Sequence, residues 1–164
     1  MRKIIKDRQI IEDGCLHLED DAALESGQQV TISLGRFLSE GAPAGVGVRI
    51  APEDDAWTLG EHLEGVSLIA IEFPKFADGR GYSHARILRD HLGYKGELRA
   101  LGDVLRDQLY VMSRCGFNAF EVRADKDIED ALGAFDTFSV RYQGAVDEPL
   151  PEFRRPKAPA RDVA

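Results

Sequence analysis

Residues 78–83 combine the residue types best suited to bind a small anion. This segment, DGRGYS, follows an apolar run that ends at Phe73. Its two glycines let the backbone approach a ligand closely, and backbone N–H groups at a helix start attract negative charge. The guanidinium group of Arg80 adds a planar set of donors for carboxylate, phosphate, sulfite or sulfate. The alternative is a tight turn in which Asp78 caps the following helix.

His84 and Tyr82 are the candidates for proton transfer beside this 78–83 loop. His84 is predicted to lie in the first helical turn near Arg80, whose positive charge favours the neutral imidazole. The alternative for His84 is an exposed helix residue without a chemical role. The residue pattern assigns no reaction to either side chain. The predicted anion-binding set comprises Asp78, Gly79, Arg80, Gly81, Ser83, Asp103 and Arg106.

Three apolar runs, at residues 66–73, 98–101 and 118–122, predict the strands that position these residues. The first run has almost no polar alternation, which is typical of a strand covered on both faces of a parallel sheet. After it, residues 81, 85, 88 and 92 form an apolar stripe at helical spacing. In open α/β sheets ligands collect beyond the carboxyl ends of the strands. The predicted 78–83 loop lies at that edge.

Two more helices are predicted after the second and third strands. Asp103 is placed to cap the first of them, whose inner face comprises Leu105, Leu109 and Met112 with Val111 at its border. Asp125 is placed to cap the second. Strand–helix repetition predicts an α/β fold with a mainly parallel sheet, either open or shaped like a half-barrel. A small N-terminal hairpin is predicted within residues 3–12, and a further strand near residues 138–142.

Four charged residues of alternating sign occupy equivalent positions in the main predicted strands: Arg49, Glu72, Arg99 and Glu121. Each has the opposite parity from its apolar neighbours, so all four are expected on the face that the helices do not cover. Charges buried there would have to pair, because unpaired buried charge is costly. The alternative is that each charge sits at a strand end in water.

Length and composition predict one globular domain. The 164 residues are 43% apolar and 30% charged, as in ordinary globular proteins. We predict an α/β domain over residues 1–148, with a hairpin and acidic loop in 1–27 and strand–helix repeats in 28–148. Residues 149–164 are rich in proline and are predicted to be disordered.

The net charge of −8 argues against a nucleic acid or an anionic membrane as partner. The chain has no apolar run of 18 residues, and its first residues lack the apolar region of a signal peptide. We therefore expect a cytoplasmic protein.

Tests for known cofactor motifs predict neither a cofactor nor a metal ion. The dinucleotide fingerprint fails because His84 stands where its third glycine would be. A Gly-Lys-Ser/Thr phosphate loop does not occur, and the four histidines lack zinc-site spacing. Two cysteines, Cys15 and Cys115, are too few for a disulfide framework or an iron–sulfur cluster. Cys115 is interpreted as a core thiol.

The motifs FADGRGYS, GELRALGDVLRDQ and RCGFNAF lie between Phe73 and Val122. With them, residues 2–153 resemble a bacterial domain-of-unknown-function family encoded beside assimilatory sulfite reductase and phosphoadenylylsulfate reductase. Members of that family are often labelled probable oxidoreductases involved in sulfite reduction. The resemblance implies a role in sulfur assimilation but assigns no catalytic residue. The positions that match its motifs are Asp78, Gly79, Arg80, Gly81, Tyr82, Ser83, Arg99, Gly102, Asp103, Arg106, Asp107, Gln108, Arg114 and Phe117.

Two functional hypotheses follow. The first is an accessory or binding protein of sulfite reduction, whose partner is a reductase or its electron donor. Missing cofactor motifs favour it, because electron transfer normally requires a bound carrier. The second is an enzyme acting on a small sulfur oxyanion at the 78–83 loop, with an activity associated with sulfite reduction.

Overall fold

The computed structural model describes residues 2–24 and 27–155. Eight strands form one sheet in the order β2-β1-β8-β7-β6-β5-β4-β3. Strands β3 to β8 run parallel to one another, and β1 pairs antiparallel with both β2 and β8. This confirms the predicted α/β class. The strands are β1 (Arg2–Lys6), β2 (Gln9–Asp13), β3 (Leu16–His17), β4 (Val30–Ser33), β5 (Gly47–Ile50), β6 (Leu68–Phe73), β7 (Glu97–Gly102) and β8 (Ala119–Phe120).

In the described part of the chain, four α-helices contribute to one apolar core with the sheet. They are α1 (Leu34–Ser39), α2 (Arg80–Arg86), α3 (Arg106–Arg114) and α4 (Ile128–Leu132). Helix α2 continues into a π-helical turn, Ile87–His91, and three short 3₁₀ turns cover Ala56–Leu59, Gly133–Asp136 and Glu152–Arg154. Leu88, Leu109 and Met112 are fully buried against strand residues such as Ile71 and Phe73. The predicted stripe of α2 therefore packs in the core, as do Leu109 and Met112 of the predicted inner face of α3, whereas Leu105 is half-buried and precedes that helix.

The N-terminal hairpin is confirmed, and its turn contains no glycine. Asp7 and Arg8 have φ angles of 48° and 61°, the left-handed values that a two-residue hairpin turn requires. Contacts with Asn118 hold this turn. The Asp7 N–H donates to the Asn118 carbonyl over 2.8 Å, and the Asn118 amide donates to the Asp7 carboxylate over 3.1 Å. The hairpin is thereby fastened to the residue before β8.

The sheet curls into a half-barrel because the chain passes directly from one edge strand to the other. Strand β2 ends at Asp13 and β3 begins at Leu16, so only Gly14 and Cys15 separate the two outermost strands. Three Cα–Cα steps span at most about 11 Å. A flat eight-stranded sheet would place its edges much farther apart, since neighbouring strands are about 4.8 Å apart. Strand β3, which the sequence did not predict, therefore draws the two edges together.

Two predicted helix caps are wrong. Helix α3 begins at Arg106, because Gly102 (φ 99°) turns the chain and Asp103 bonds elsewhere. The Gln108 side chain accepts the Leu105 N–H over 3.0 Å instead. Helix α4 is capped by Asp127, whose carboxylate accepts the Glu129 and Asp130 N–H groups, and not by Asp125.

Two further predictions need correction. Val111 of α3 is 50% exposed and does not belong to the inner face of that helix. Residues 138–142 form no strand, because no neighbouring strand is available to pair with them. Within the predicted C-terminal tail, residues 152–154 form a 3₁₀ turn, and residues 156–164 lie outside the described part of the chain. Among the described residues, no helix is long and apolar enough to cross a bilayer.

Candidate functional site

Arg99 lies at the centre of the face of the sheet opposite the helices. Its side chain is 1% exposed and its guanidinium group contacts three carboxylates. Two parallel hydrogen bonds of 3.0 Å join it to both oxygens of Asp13. Glu97 accepts from Arg99 Nε over 2.7 Å, and Glu121 accepts from Nη1 over 3.0 Å. The Glu97 and Glu121 side chains point the same way as Arg99 because strand residues alternate between faces.

Two further cations and a histidine complete this concave charge cluster, which comprises Arg2, Lys6, Asp13, His17, Glu97, Arg99 and Glu121. Lys6 Nζ lies 2.7 Å from Glu97, and Arg2 Nη1 lies 2.9 Å from Glu121. His17 Nε2 lies 2.7 Å from Glu121, and its Nδ1 lies 2.6 Å from the Thr31 hydroxyl. His17 belongs to β3 and Glu121 follows β8, so this contact crosses the curl.

The predicted pairing of the four strand charges is confirmed. Arg99 pairs with Glu121, and Arg49 Nε lies 2.8 Å from Glu72. These four side chains share the concave face, as their parity requires. Sequence reasoning missed Asp13, Arg2 and His17, which reach the cluster only through long-range strand pairing. Glu97 could have been found, because it lies two residues before Arg99 on the same strand.

Burial and pairing act in opposite directions on the carboxylates of this face. Burial alone would raise the pKa of Asp13, but hydrogen bonds and the charges of Arg99 and Arg2 outweigh it and lower that pKa. The pKa of Glu121 is also lowered, since bonds from His17, Arg2 and Arg99 outweigh its burial. Burial raises the pKa of Glu72, which Arg49 only partly offsets. The Asp13 and Glu121 carboxylates are thus held ionised around Arg99.

The concave charge cluster is a balanced structural network. Its three formal cations, Arg2, Lys6 and Arg99, face three carboxylates. Each carboxylate has at least one cation within 3.0 Å, so none is left to attract a ligand. Cys15 lies at its edge, and burial raises the pKa of this thiol to about 11. A thiol with such a pKa is not a nucleophile at neutral pH.

The 78–83 loop lies after β6, at the predicted carboxyl edge, and its two charged residues bind each other. Asp78 accepts Arg80 Nε over 3.0 Å and Arg80 Nη2 over 2.7 Å, and it accepts the Arg80 backbone N–H over 3.2 Å. These contacts hold the pKa of Asp78 at about 2. Helix α2 spans only residues 80–86 before its π-helical turn. An oxyanion at this loop would have to displace Asp78 from Arg80.

The remaining predicted anion-binding residues point in different directions. Asp103 accepts the Phe76 N–H over 2.9 Å and pairs with Arg123 at 2.7 Å, so it braces the start of the segment before the loop. Arg106 pairs with Asp130 of α4 at 3.2 Å. The structure therefore keeps Asp103 near the loop through Phe76 and directs Arg106 towards α4.

His84 is buried, so its interpretation as an exposed helix residue is wrong. It is 8% exposed, and its Nε2 lies 3.3 Å from the Pro52 carbonyl. Its Nδ1 is buried without a hydrogen-bond partner among the described residues. Tyr82 is half-buried, with its ring edge against Phe73, and burial raises the pKa of its phenol. Neither side chain is freely accessible to a bulky substrate from this side of the sheet.

An aromatic surface covers the C-terminal side of α3. It consists of Tyr110, Phe138, Val140 and Tyr142, which line one shallow cavity, together with Phe153. Phe138, Val140, Tyr142 and Phe153 are 56%, 63%, 69% and 66% exposed. The Tyr110 and Phe138 rings are 4.9 Å apart, and the Tyr142 and Phe153 rings 5.9 Å. These side chains therefore form one patch rather than isolated exposed residues.

Arginine–carboxylate pairs fix the irregular segment that carries this aromatic surface. Arg114 of α3 and Arg141 both bind Asp147, at 2.6 and 2.7 Å. Arg155 binds Glu148 at 3.1 Å and the Arg141 carbonyl at 2.8 Å. Arg141 points into these contacts while Val140 and Tyr142 point outwards. This alternation is typical of a strand, although the segment is irregular.

Comparison with known proteins identifies the family. A family model described as a bacterial protein of unknown function, DUF934, matches residues 47–153. The chain belongs to this family. The matched region extends from β5 through the 78–83 loop and α3 to the aromatic surface. No curated protein matches the chain, and no solved structure does. Within residues 2–24 and 27–155, no group of three or more His, Cys, Asp or Glu side chains is arranged to hold a metal ion.

Proposed function

We propose that this protein is an accessory protein of assimilatory sulfite reduction that binds a reductase or its electron donor. The aromatic surface carries the proposal of a binding role. Exposed apolar patches of this kind mark interaction sites, and tyrosine, phenylalanine and arginine are enriched at protein interfaces. The pathway comes from the resemblance carried by the motifs between Phe73 and Val122.

The aromatic surface suits a rigid docking role. Three of its side chains project from a segment that Arg114, Arg141 and Arg155 hold to α3 and to Asp147 and Glu148. Little ordering is then required when a partner binds, and ordering of side chains is a main cost of association. Phe138 and Tyr142 are the expected anchors, since aromatic side chains dominate binding energy at such surfaces.

The binding role is tested by capture of partners from cells grown on sulfate. The tagged wild-type protein should retain a sulfite reductase component or its electron donor, identified by mass spectrometry. The double variant Phe138→Ser, Tyr142→Ser should lose it. Trp57→Ser is the matched control, because Trp57 is 50% exposed but lies outside the aromatic surface. Equal capture by all three proteins would exclude the aromatic surface as the docking site.

The pathway is tested separately by growth. Deletion of the gene should slow growth on sulfate or sulfite and spare growth on cysteine, which bypasses the reduction. Equal growth on all three sulfur sources would exclude a role in sulfite reduction. The capture experiment would still test the aromatic surface as a docking site. Absorbance spectra of the purified protein add a further check, since flavin or iron absorbance would contradict a simple accessory role.

A further inference from the structure

A cavity of about 450 Å³ opens beside the aligned ends of β7 and β8. Its walls include Gly102 at the end of β7, residues 122–124 after β8, and Arg2 and Lys3 at the start of β1. Because β1 is antiparallel to β8, its first residues lie at the carboxyl end of β8. Ligands of α/β sheets collect at this edge, and the volume lies within the usual range for small-molecule sites.

The charged lining of this β7–β8 cavity is mostly cationic. It comprises four cations, Arg2, Lys3, Arg123 and Lys126, and one carboxylate, Glu121. Glu121 is already bound by Arg2 Nη1 at 2.9 Å, Arg99 Nη1 at 3.0 Å and His17 Nε2 at 2.7 Å. Arg2 and Glu121 therefore largely neutralise each other, and the remaining cations at the cavity are Lys3, Arg123 and Lys126. Lys3 forms no ion pair with any residue that the structure describes.

The carboxylate of Asp125 already binds two of the cavity cations, and its contacts indicate what kind of ligand group they can bind. Its two oxygens receive Arg123 Nε at 2.6 Å and Arg123 Nη2 at 3.0 Å, a two-pronged contact. Lys126 Nζ lies 3.3 Å from the same carboxylate. The side chain of Asp125 is 55% exposed and does not line the cavity. Arg123 Nη1 also donates to Asp103 over 2.7 Å, so a ligand anion would replace Asp125 alone, and that exposed pair contributes little stability.

We propose that the β7–β8 cavity binds a small organic anion through a carboxylate or phosphate group. Arg123 and Lys126 bind the anionic group, and Lys3 supplies further positive charge. Val122, Ala124 and Ile128 provide an apolar wall for the remainder of the molecule. The planar fork of Arg123 matches both carboxylate and phosphate geometry. This site lies apart from the aromatic surface, and its occupancy does not depend on the proposed function.

Titration of the full-length protein tests the site, with backbone amide NMR shifts as the readout. Inorganic phosphate is the probe for one ligand class and malonate for the other, each against sodium chloride at matched ionic strength. Saturable shifts are expected for the amides of Gly102, Val122 and Ala124. Saturation with phosphate alone would assign a phosphate ligand, and saturation with malonate alone a carboxylate.

Three variants locate the binding. Arg123→Gln should weaken it about tenfold or more, because a bidentate charged contact is lost. Lys126→Gln should weaken binding about threefold. Because Lys126 forms only an exposed ion pair, this variant should fold and can test the site even if Arg123→Gln does not fold. Arg80→Gln is the control, because the exposed side chain of Arg80 also pairs with a neighbouring aspartate but lies in the 78–83 loop. Unsaturable shifts equal to those of chloride, or equal weakening in Arg80→Gln, would overturn the proposal.

Discussion

The curled sheet buries apolar side chains on one face and paired charged side chains on the other. On the face under the helices, Ile71 and Phe73 of β6 share one apolar core with Leu109 and Met112 of α3, and all four side chains are fully buried. The concave face has Arg99, which is 1% exposed and joined to three carboxylates. Apolar packing tolerates small rearrangements, whereas a buried ion pair is stable only with its full set of partners. The helices therefore supply most of the favourable burial, and the charges hold together the sheet edges that the β2–β3 link brings close.

Loss of the central cation should have the largest effect. Arg99→Met leaves Asp13, Glu97 and Glu121 buried without their shared partner, and removal of one member of such a network costs about 3–5 kcal/mol. Urea unfolding followed by circular dichroism measures the change. Arg106→Met is the matched control, since Arg106 forms an exposed pair worth at most about 1 kcal/mol. Similar losses of unfolding free energy in both variants would mean that the concave charge cluster contributes no more to stability than an exposed ion pair.

Truncation on the apolar face should have the next largest effect. Leu109→Ala removes a fully buried side chain from the inner face of α3 and should cost about 2–5 kcal/mol. Val111→Ala on the same helix removes a 50% exposed side chain and should change the unfolding free energy much less. A pair of equal changes in thermal unfolding would show that α3 does not pack on the sheet through Leu109.

The pH dependence of stability should separate two parts of the concave face. The lowered pKa values of Asp13 and Glu121 stabilise the fold above the unfolded carboxyl pKa of about 4, and this stability is lost as the pH falls through the folded values. The raised pKa of Glu72 acts oppositely, because stability is lost as the pH rises through it. Asp13→Asn should therefore flatten the loss of stability in acid, and Glu72→Gln should steepen it.

Urea unfolding between pH 7 and pH 3 measures these slopes. A steeper slope in Asp13→Asn, or a shallower one in Glu72→Gln, would contradict the pKa directions of these two carboxyl groups.

The 78–83 loop should give the smallest effect. Sulfate must compete with Asp78 for Arg80, so we expect sulfate to raise the melting temperature only slightly more than chloride at matched ionic strength. Arg80→Ala should remove that increment and leave the melting temperature in chloride unchanged. An increment that persists in the variant would place sulfate elsewhere, and the β7–β8 cavity would be the first alternative.

Patterns within short stretches of sequence predicted much of this architecture, but they did not predict which distant strands pair with each other. The parity of Arg49, Glu72, Arg99 and Glu121 is a property of neighbouring residues, so their shared face could be derived from sequence. The closure of the sheet could not, because β3 has only two residues and its role depends on where β1 pairs.

In the candidate site too, features of adjacent residues could be predicted from the sequence, and contacts with distant residues could not. The residues of the 78–83 loop are adjacent in sequence and lie together, as predicted. The burial of His84 depends on Pro52, which lies 32 residues away. The alternation of Phe138, Val140 and Tyr142 with polar residues is typical of a strand, but Arg141 binds Asp147, and no strand of the described chain pairs with this segment. Contacts set by distant segments are thus what sequence reasoning missed.

The pairing of β1 with β8 has a consequence for the order of events during synthesis. Ile5 lies opposite Phe120, so β1 can enter the sheet only after β8, the last strand of the described chain, has been synthesised. Until then the hairpin exposes Ile4 and Ile5, which are fully buried in the finished protein. Folding that depends on such distant pairings is slow and leaves apolar strands open to association. The nascent chain is therefore the form of this protein most in need of chaperone protection.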